Sequence, residues 1–345
     1  MPTQQRLNCS AFRHAPVLLM FLTFSTTVSA QNFPVRPIRL VTAAAGGGND
    51  FVARLIAPVI TARLGESLVI DNRGGAGGVF AAETVARSAP DGYTLLFYGP
   101  SMWLLPFMRK AVPYDPIRDF APVTMPVSSP NILVVHPSLP VKSVKELIVL
   151  AKARPGELND AGADAASSAH LAVELFKSTA GVKIVRVAYK GVGPALNALI
   201  AGEVQLMFPI AGAVTAHINS GRLRALAVTS AQPTKLAPGL PTVAAAGVPG
   251  YESIALTGIF APAGTPPAII QRLNEELARA LHAESVKARL FSAGVEAVGT
   301  TPQEFARMLQ LDMAKWGKVI RDAGIYARTE GVTLRALMRT CKGDP

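Results

Sequence analysis

The sequence predicts an α/β fold made of two doubly wound lobes. Three observations carry that expectation. Short β-branched runs alternate with helical periodicity along most of the chain. Glycine-rich or small-residue stretches fall where a strand passes into a helix. The pattern then restarts after a proline-rich connection at residues 113 to 130. Alternation of this kind builds largely parallel sheets covered by helices on both faces. At 345 residues, half of them hydrophobic, the chain is long enough for two units of roughly 150 residues with proper cores.

The first lobe opens with a strand at Ile38 to Thr42. A helix runs from Asn49 to Leu64 and stops at Gly65, with Pro58 inside it. Ser67 to Asp71 reads as a second strand. The glycine run 74 to 78 then leads into a helix ending near Ser88. Pro90-Asp91-Gly92 makes a turn before a third strand, Thr94 to Tyr98. In the second lobe Ile132 to Val135 is a strand, and Ser143 with Glu146 forms a capping box that opens a helix. Further strands are expected at Lys183 to Tyr189, Val204 to Phe208 and Leu223 to Thr229. Two late helices each begin at Thr-Pro, where Thr265 or Thr301 is placed to cap and the proline to occupy the first helical position. The expected division is 31–130 with 253–325 as one lobe and 131–252 as the other. A cleft is expected between them at the strand ends where the glycine turns collect.

Residues 1–30 read as an export signal rather than as fold. Arg6, Arg13 and His14 precede the apolar run Val17 to Phe24, and Val28-Ser29-Ala30 supplies a small-x-small cleavage site. The apolar run is too short for the ~20 residues of a membrane span. Cleavage before Gln31 lowers the net charge from +11 to 11 − 2 = +9. That excess fits attraction of anions into a cleft as well as simple solubility. Nucleic acid is excluded as a partner, because the chain is directed outward and no basic stretch is interleaved with aromatics. Cys341 alone outlasts cleavage, so no intramolecular disulfide forms. The histidines show no metal-ligand spacing, and neither metal nor cofactor is expected. Residues 326–345 read as a disordered basic tail.

The motif with most chemical content is "VTAAAGGGND", residues 41 to 50. It lacks the spacing of a dinucleotide or P-loop fingerprint. A glycine turn into a helix start offers backbone N–H groups and a positive dipole end to an anion. The same turn could equally serve only to supply φ > 0. Two further stretches, "DNRGGAGGVFAAE" and "NDAGADAASSAH", strip bulk from other strand-to-helix junctions and favour a ligand wrapped by backbone and hydroxyl donors. Ser167, Ser168 and His170 do not make a hydrolase site. Ser168 and His170 are two apart on a helix and face differently, and no G-x-S-x-G elbow occurs. They read as a capping pair with an incidental histidine. Lys190 is either a fixed charge for an anion or a lysine at a strand end.

These residues bring a resemblance into view. The stretches "GGGNDFVARLIAP", "DNRGGAGG", "APDGYTLL", "YDPIRDFAPV", "SSAHLAVELF", "AYKGVGPALNALIAGEVQLMF" and "FAPAGTP" run in order across about residues 33 to 325. Together they resemble the solute-binding receptors of tripartite tricarboxylate transporters, the Bug family. The resemblance implies a type II periplasmic-binding-protein fold, two lobes closing on a small carboxylated solute without a cofactor. It implies a periplasmic monomer that delivers the solute to membrane transporter subunits and is not an enzyme. A sensory receptor serving a signalling kinase is the alternative. Carried over by position, the implied ligand contacts are Ala45, Gly46, Gly47, Gly48, Asn49 and Asp50, then Gly99 and Ser101, then Ala161, Gly162, Ser167 and Ser168. Relatives often carry an acidic or amide residue where this chain has Pro209, which bears on which solute is taken.

Overall fold

The computed structural model describes residues 33–46, 48–162, 165–189, 191–322 and 324–325. The export segment, Gly47, Lys190 and the basic tail lie outside the described residues.

Two sheets organise the molecule. The first has the strand order β11-β4-β10-β3-β1-β2. Its strands are β1 (Ile38–Thr42), β2 (Leu68–Asn72), β3 (Thr94–Tyr98), β4 (Phe120–Pro130), β10 (Ile254–Pro262) and β11 (Glu296–Ala297). Here β1 pairs in parallel with both β2 and β3, and β10 runs antiparallel between β3 and β4. The second sheet has the order β7-β6-β8-β5-β9. It comprises β5 (Ile132–Val135), β6 (Asn159–Gly162), β7 (Val185–Ala188), β8 (Leu206–Met207) and β9 (Arg224–Val228). In it β6 is parallel to β7 and β8, while β5 is antiparallel to β8 and β9.

Helices cover both faces of each sheet. On the first lie α1 (Gly48–Leu64), α2 (Val79–Ala86), α3 (Ser101–Met108), α8 (Pro267–His282), α9 (Glu284–Ser292) and α10 (Pro302–Asp322). On the second lie α4 (Val144–Ala153), α5 (Ser168–Ala180), α6 (Val192–Ile200) and α7 (Ala211–Asn219). The apolar stripe of α8, Ile269, Leu273, Leu277 and Leu281, is buried against Leu40, Leu95 and Val123 of the first sheet. Leu171 of α5 joins a different cluster, with Trp103 and Leu105 of α3 and Phe305 of α10. One helix of the second sheet is thus packed into a core of the first. None of the described helices is long and apolar enough to cross a membrane.

Several expected elements differ in detail. The connection at 113 to 130 contains an eleven-residue strand, β4, despite Pro122, Pro126 and Pro130. Proline is tolerated there because the long pairing with β10 is interrupted by bulges, one of which skips Pro126, and on its other side β11 pairs just Val127 and Ser128. Both Thr-Pro helices form, but only Thr301 caps: its hydroxyl accepts from Glu304 N–H at 3.2 Å while Glu304 accepts from Thr301 N–H at 2.9 Å. The Thr265 hydroxyl instead donates to Pro262 O at 2.8 Å, and Pro266 stands at the cap position of α8. The Ser143 box forms in part: Ser143 caps Glu146 N–H, but Glu146 reaches Lys142 N–H rather than that of Ser143.

Candidate functional site

The strands β1 and β3 end side by side, held by the Thr42 hydroxyl donating to Phe97 O at 2.9 Å. Beyond their ends the chain turns outward on opposite sides of the sheet, the place where open α/β sheets form crevices. The crevice here is a cavity of about 1110 Å³ walled by residues from both sheets.

Six helices begin at that wall. Gly48, Gly78 and Ser101 bring the starts of α1, α2 and α3; Ser168, Val192 and Ile210 bring those of α5, α6 and α7. The N-cap residues of α2, α3, α6 and α7 (Gly78, Pro100, Gly191 and Ile210) make no side-chain cap. Each helix start carries N–H groups without intrahelical acceptors and a partial positive charge. Their convergence from both sheets makes the cavity a favourable place for an anion before any side chain is counted. The small residues are what allow the approach. A Cβ at Gly78, whose φ is +100°, would sit 2.5 Å from the Tyr98 ring, and one at Gly74 would sit 2.5 Å from Ala44 Cβ.

The turn after β1 is held from behind by Asp50. This carboxylate accepts from Gly46 N–H at 2.9 Å and from Asn72 Nδ2 at 2.8 Å, and pairs with Arg54 at 3.0 Å. Asn72 also donates to Ala43 O at 2.7 Å. Burial alone would raise the Asp50 carboxyl, but the hydrogen bonds from Arg54, Asn72 and Gly46 outweigh it and hold the group below the usual carboxylate range. On the second sheet, Ser167 caps α5 by accepting from His170 N–H at 3.3 Å. The Ser168 hydroxyl accepts from Asn131 Nδ2 at 3.4 Å, and that same amide nitrogen donates to Phe208 O at 2.6 Å.

Of the residues expected at the site, Ala45, Gly46, Gly48, Asn49, Gly99, Ser101, Ser167 and Ser168 line one cavity. Asp50, Ala161 and Gly162 do not. Asp50 is turned into the support of the loop, Ala161 is buried in the sheet, and Gly162 lies under the Arg186 side chain. Gly47 is outside the described residues. Three charged residues and one histidine at the wall were not anticipated: Arg109, Arg186, Glu174 and His170. His170 is not incidental. Its Nδ1 accepts from Ala166 N–H at 3.1 Å, which puts the proton on Nε2, 3.9 Å from Glu174. Burial first, then Arg186 and Lys177, push its pKa down to about 3, so the ring is neutral near pH 7. Asp160 of β6 is also buried, and its carboxyl is pushed up to about 7 by burial against the opposing pull of Arg186. Among the described residues no group of histidines, cysteines and carboxylates is placed to hold a metal ion.

The model of the tripartite tricarboxylate transporter family receptor matches residues 52–325 of this chain. The chain belongs to that receptor family. Among proteins of known sequence, BugT of Bordetella pertussis is 37% identical over 300 residues, covering 86% of this chain and 92% of BugT. Among solved structures, a protein from R. palustris with adipate is 40% identical, with a TM-score of 0.82 over 85% of this chain and 99% of that one. MatC from Rhodopseudomonas palustris with bound malate is 32% identical, with a TM-score of 0.78 over 84% and 100%. The receptor therefore shares the two-lobed α/β fold of periplasmic binding proteins, and the expected resemblance holds across nearly the whole described chain.

Proposed function

We propose that this receptor captures a small carboxylate anion in the cavity between its two sheets and delivers it to a membrane transporter of the tripartite tricarboxylate type. The observation that carries this reading is the convergence of six helix starts on one cavity, three from each sheet. Oriented N–H groups meet carboxylate charge without a metal or cofactor. The solute's carboxylate sits against the turn Ala45 to Asn49, Gly99 and Ser101 from one side, and against Ser167 and Ser168 from the other. Residues 31–130 with 253–325 close against 131–252 as two lobes around it. The receptor works as a monomer in the periplasm, its export signal removed after Ala30. Support comes from the relatives: two structural neighbours are described with adipate and with malate, both carboxylates.

A thermal-shift screen of mono-, di- and tricarboxylates tests the reading. A solute present at 100-fold its dissociation constant adds about 2.7 kcal/mol of stability, which displaces the unfolding midpoint clearly. Stabilisation by one carboxylate class is expected. A flat response to all carboxylates, with stabilisation by a cation or sugar, would contradict it.

A further inference from the structure

Ser168 opens α5 and lines the cavity. A serine hydroxyl rotates about its C–O bond and can turn either its proton or its lone pairs toward an anion. Only the proton attracts a carboxylate. What holds the hydroxyl from behind therefore decides how well Ser168 serves.

Behind it stands Asn131. This residue joins β4, which ends at Pro130, to β5, which begins at Ile132, so it lies where the chain passes from the first sheet to the second. Its N–H donates to the Thr229 hydroxyl at 2.8 Å, and its carbonyl accepts from Thr229 N–H at 2.9 Å. Thr229 O in turn accepts from Ser253 N–H at 2.9 Å, one residue before β10, where the chain returns. Asn131, Thr229 and Ser253 are all buried. Both passages between the sheets are thus clamped around one amide side chain.

Phe208 fixes which way that amide points. Nδ2 lies 2.6 Å from Phe208 O, and an amide oxygen in its place would set two acceptors against each other. On the other side Oδ1 has no hydrogen-bond partner among the described residues, so nothing there favours the reverse orientation. One N–H of the amide is directed at Phe208 O, and the second is free for the Ser168 hydroxyl, 3.4 Å away. Ser168 is the acceptor in that contact. Among the described residues nothing accepts its own proton, which leaves the proton for the cavity. The contact is long, so it directs the hydroxyl more than it strengthens it.

We propose that Asn131 is a positioning residue for solute capture: donating to Ser168 Oγ from a fixed point between the sheets, it aims the Ser168 proton at the carboxylate. This rests on the reading of the cavity as a carboxylate site and explains how one of its hydroxyls is prepared as a donor before the solute arrives.

The test is a double-mutant cycle read by calorimetry, with butyrate, succinate, adipate and citrate as probes. Asn131→Ala should weaken whichever of these binds by about threefold to tenfold in the unaltered receptor, and leave its affinity unchanged in the Ser168→Ala background. The substitution also takes the donor from Phe208 O, so the unfolding midpoint should fall alike in both backgrounds. A merely structural role would instead give an affinity loss that persists without Ser168. Asn131→Asp keeps the shape should Asn131→Ala not fold. Its oxygen in the place of Nδ2 takes the Ser168 proton, so it too should weaken binding more with Ser168 present than without it. Equal weakening in the two backgrounds overturns the inference, as does unchanged affinity of Asn131→Ala in the unaltered receptor. If no probe binds, the carboxylate reading falls and this inference with it; if Ser168→Ala costs no affinity, this inference falls while the carboxylate reading stands.

Discussion

The N–H of Gly46 donates to the carboxylate of Asp50 at 2.9 Å, closing the turn after β1 onto the first turn of α1. The same carboxylate takes Asn72 from β2 and Arg54 from α1. One buried acid thereby fixes the loop, the helix start and the neighbouring strand, and it stands behind the cavity instead of inside it.

Asp50→Ala is therefore expected to act on the fold. It leaves the Gly46 N–H and the Asn72 amide short of an acceptor, at about 1–3 kcal/mol of stability. Because the Asp50 carboxyl is held below its ordinary value near 3.8, its contribution is present above that pH and lost as pH falls below it. Urea unfolding at pH 7 and pH 3 checks this: the gap between the parent and Asp50→Ala should be wide at pH 7 and narrow at pH 3. A variant as stable as the parent at pH 7 would show that the network contributes nothing.

Ser168→Ala should separate binding from stability in the opposite sense. Asn131 keeps its stronger bond to Phe208 O when the serine hydroxyl is removed, so the unfolding midpoint should move little. The solute loses one hydroxyl donor, at about tenfold in affinity. Titration calorimetry on the folded variant measures it, and unchanged affinity would remove Ser168 from the site.

His170 and Asp160 tilt the stability profile in opposite directions. His170 is held neutral down to about pH 3 against an ordinary value of 6.5, so the unfolded chain binds the extra proton and stability falls as pH drops from 6.5 toward 3. Asp160 keeps its proton up to about pH 7 against an ordinary 3.8, so the folded chain binds the extra proton and stability falls as pH rises from 3.8 to 7. Between about pH 4.5 and 6 the two slopes largely cancel, each close to its limit of about 1.4 kcal/mol per pH unit. His170→Asn, whose Oδ1 can still accept from Ala166 N–H, should expose the Asp160 slope: its stability should decline from pH 4 to pH 7. A profile parallel to that of the parent would contradict the opposed pair.

How much of this was legible in the sequence depended on how local each signal was. The strand at Thr94–Tyr98, the helix stopped by Gly65 and the Thr301 cap rest on neighbouring residues, and they appear as expected. From sequence β4 reads as a connection because three prolines four apart look like breakers; only its long pairing with β10, far along the chain, makes it a strand. The small-residue junctions pointed to six residues that do line the cavity, Ala45, Gly46, Gly48, Asn49, Ser167 and Ser168, and the family resemblance added Gly99 and Ser101. Asp50 was misplaced because its partner Asn72 comes from another strand. Arg109 and His170 carried no local signal at all. The histidine matters through the Ala166 N–H that fixes its proton.

The central claim is that the helix starts themselves hold the anion, and Gly48→Val tests it most directly. Gly48 opens α1 with a φ outside the left-handed region, and among the described residues an added Cβ would meet only Ile210 Cδ1, at an ordinary 3.7 Å. The fold should accept the side chain, while the space over the α1 start is filled. Calorimetry with the best carboxylate of the screen should show affinity reduced by about tenfold to a thousandfold, with the unfolding midpoint of the free protein within experimental error of the parent. Parent-like affinity in the folded variant would mean that the anion lies elsewhere.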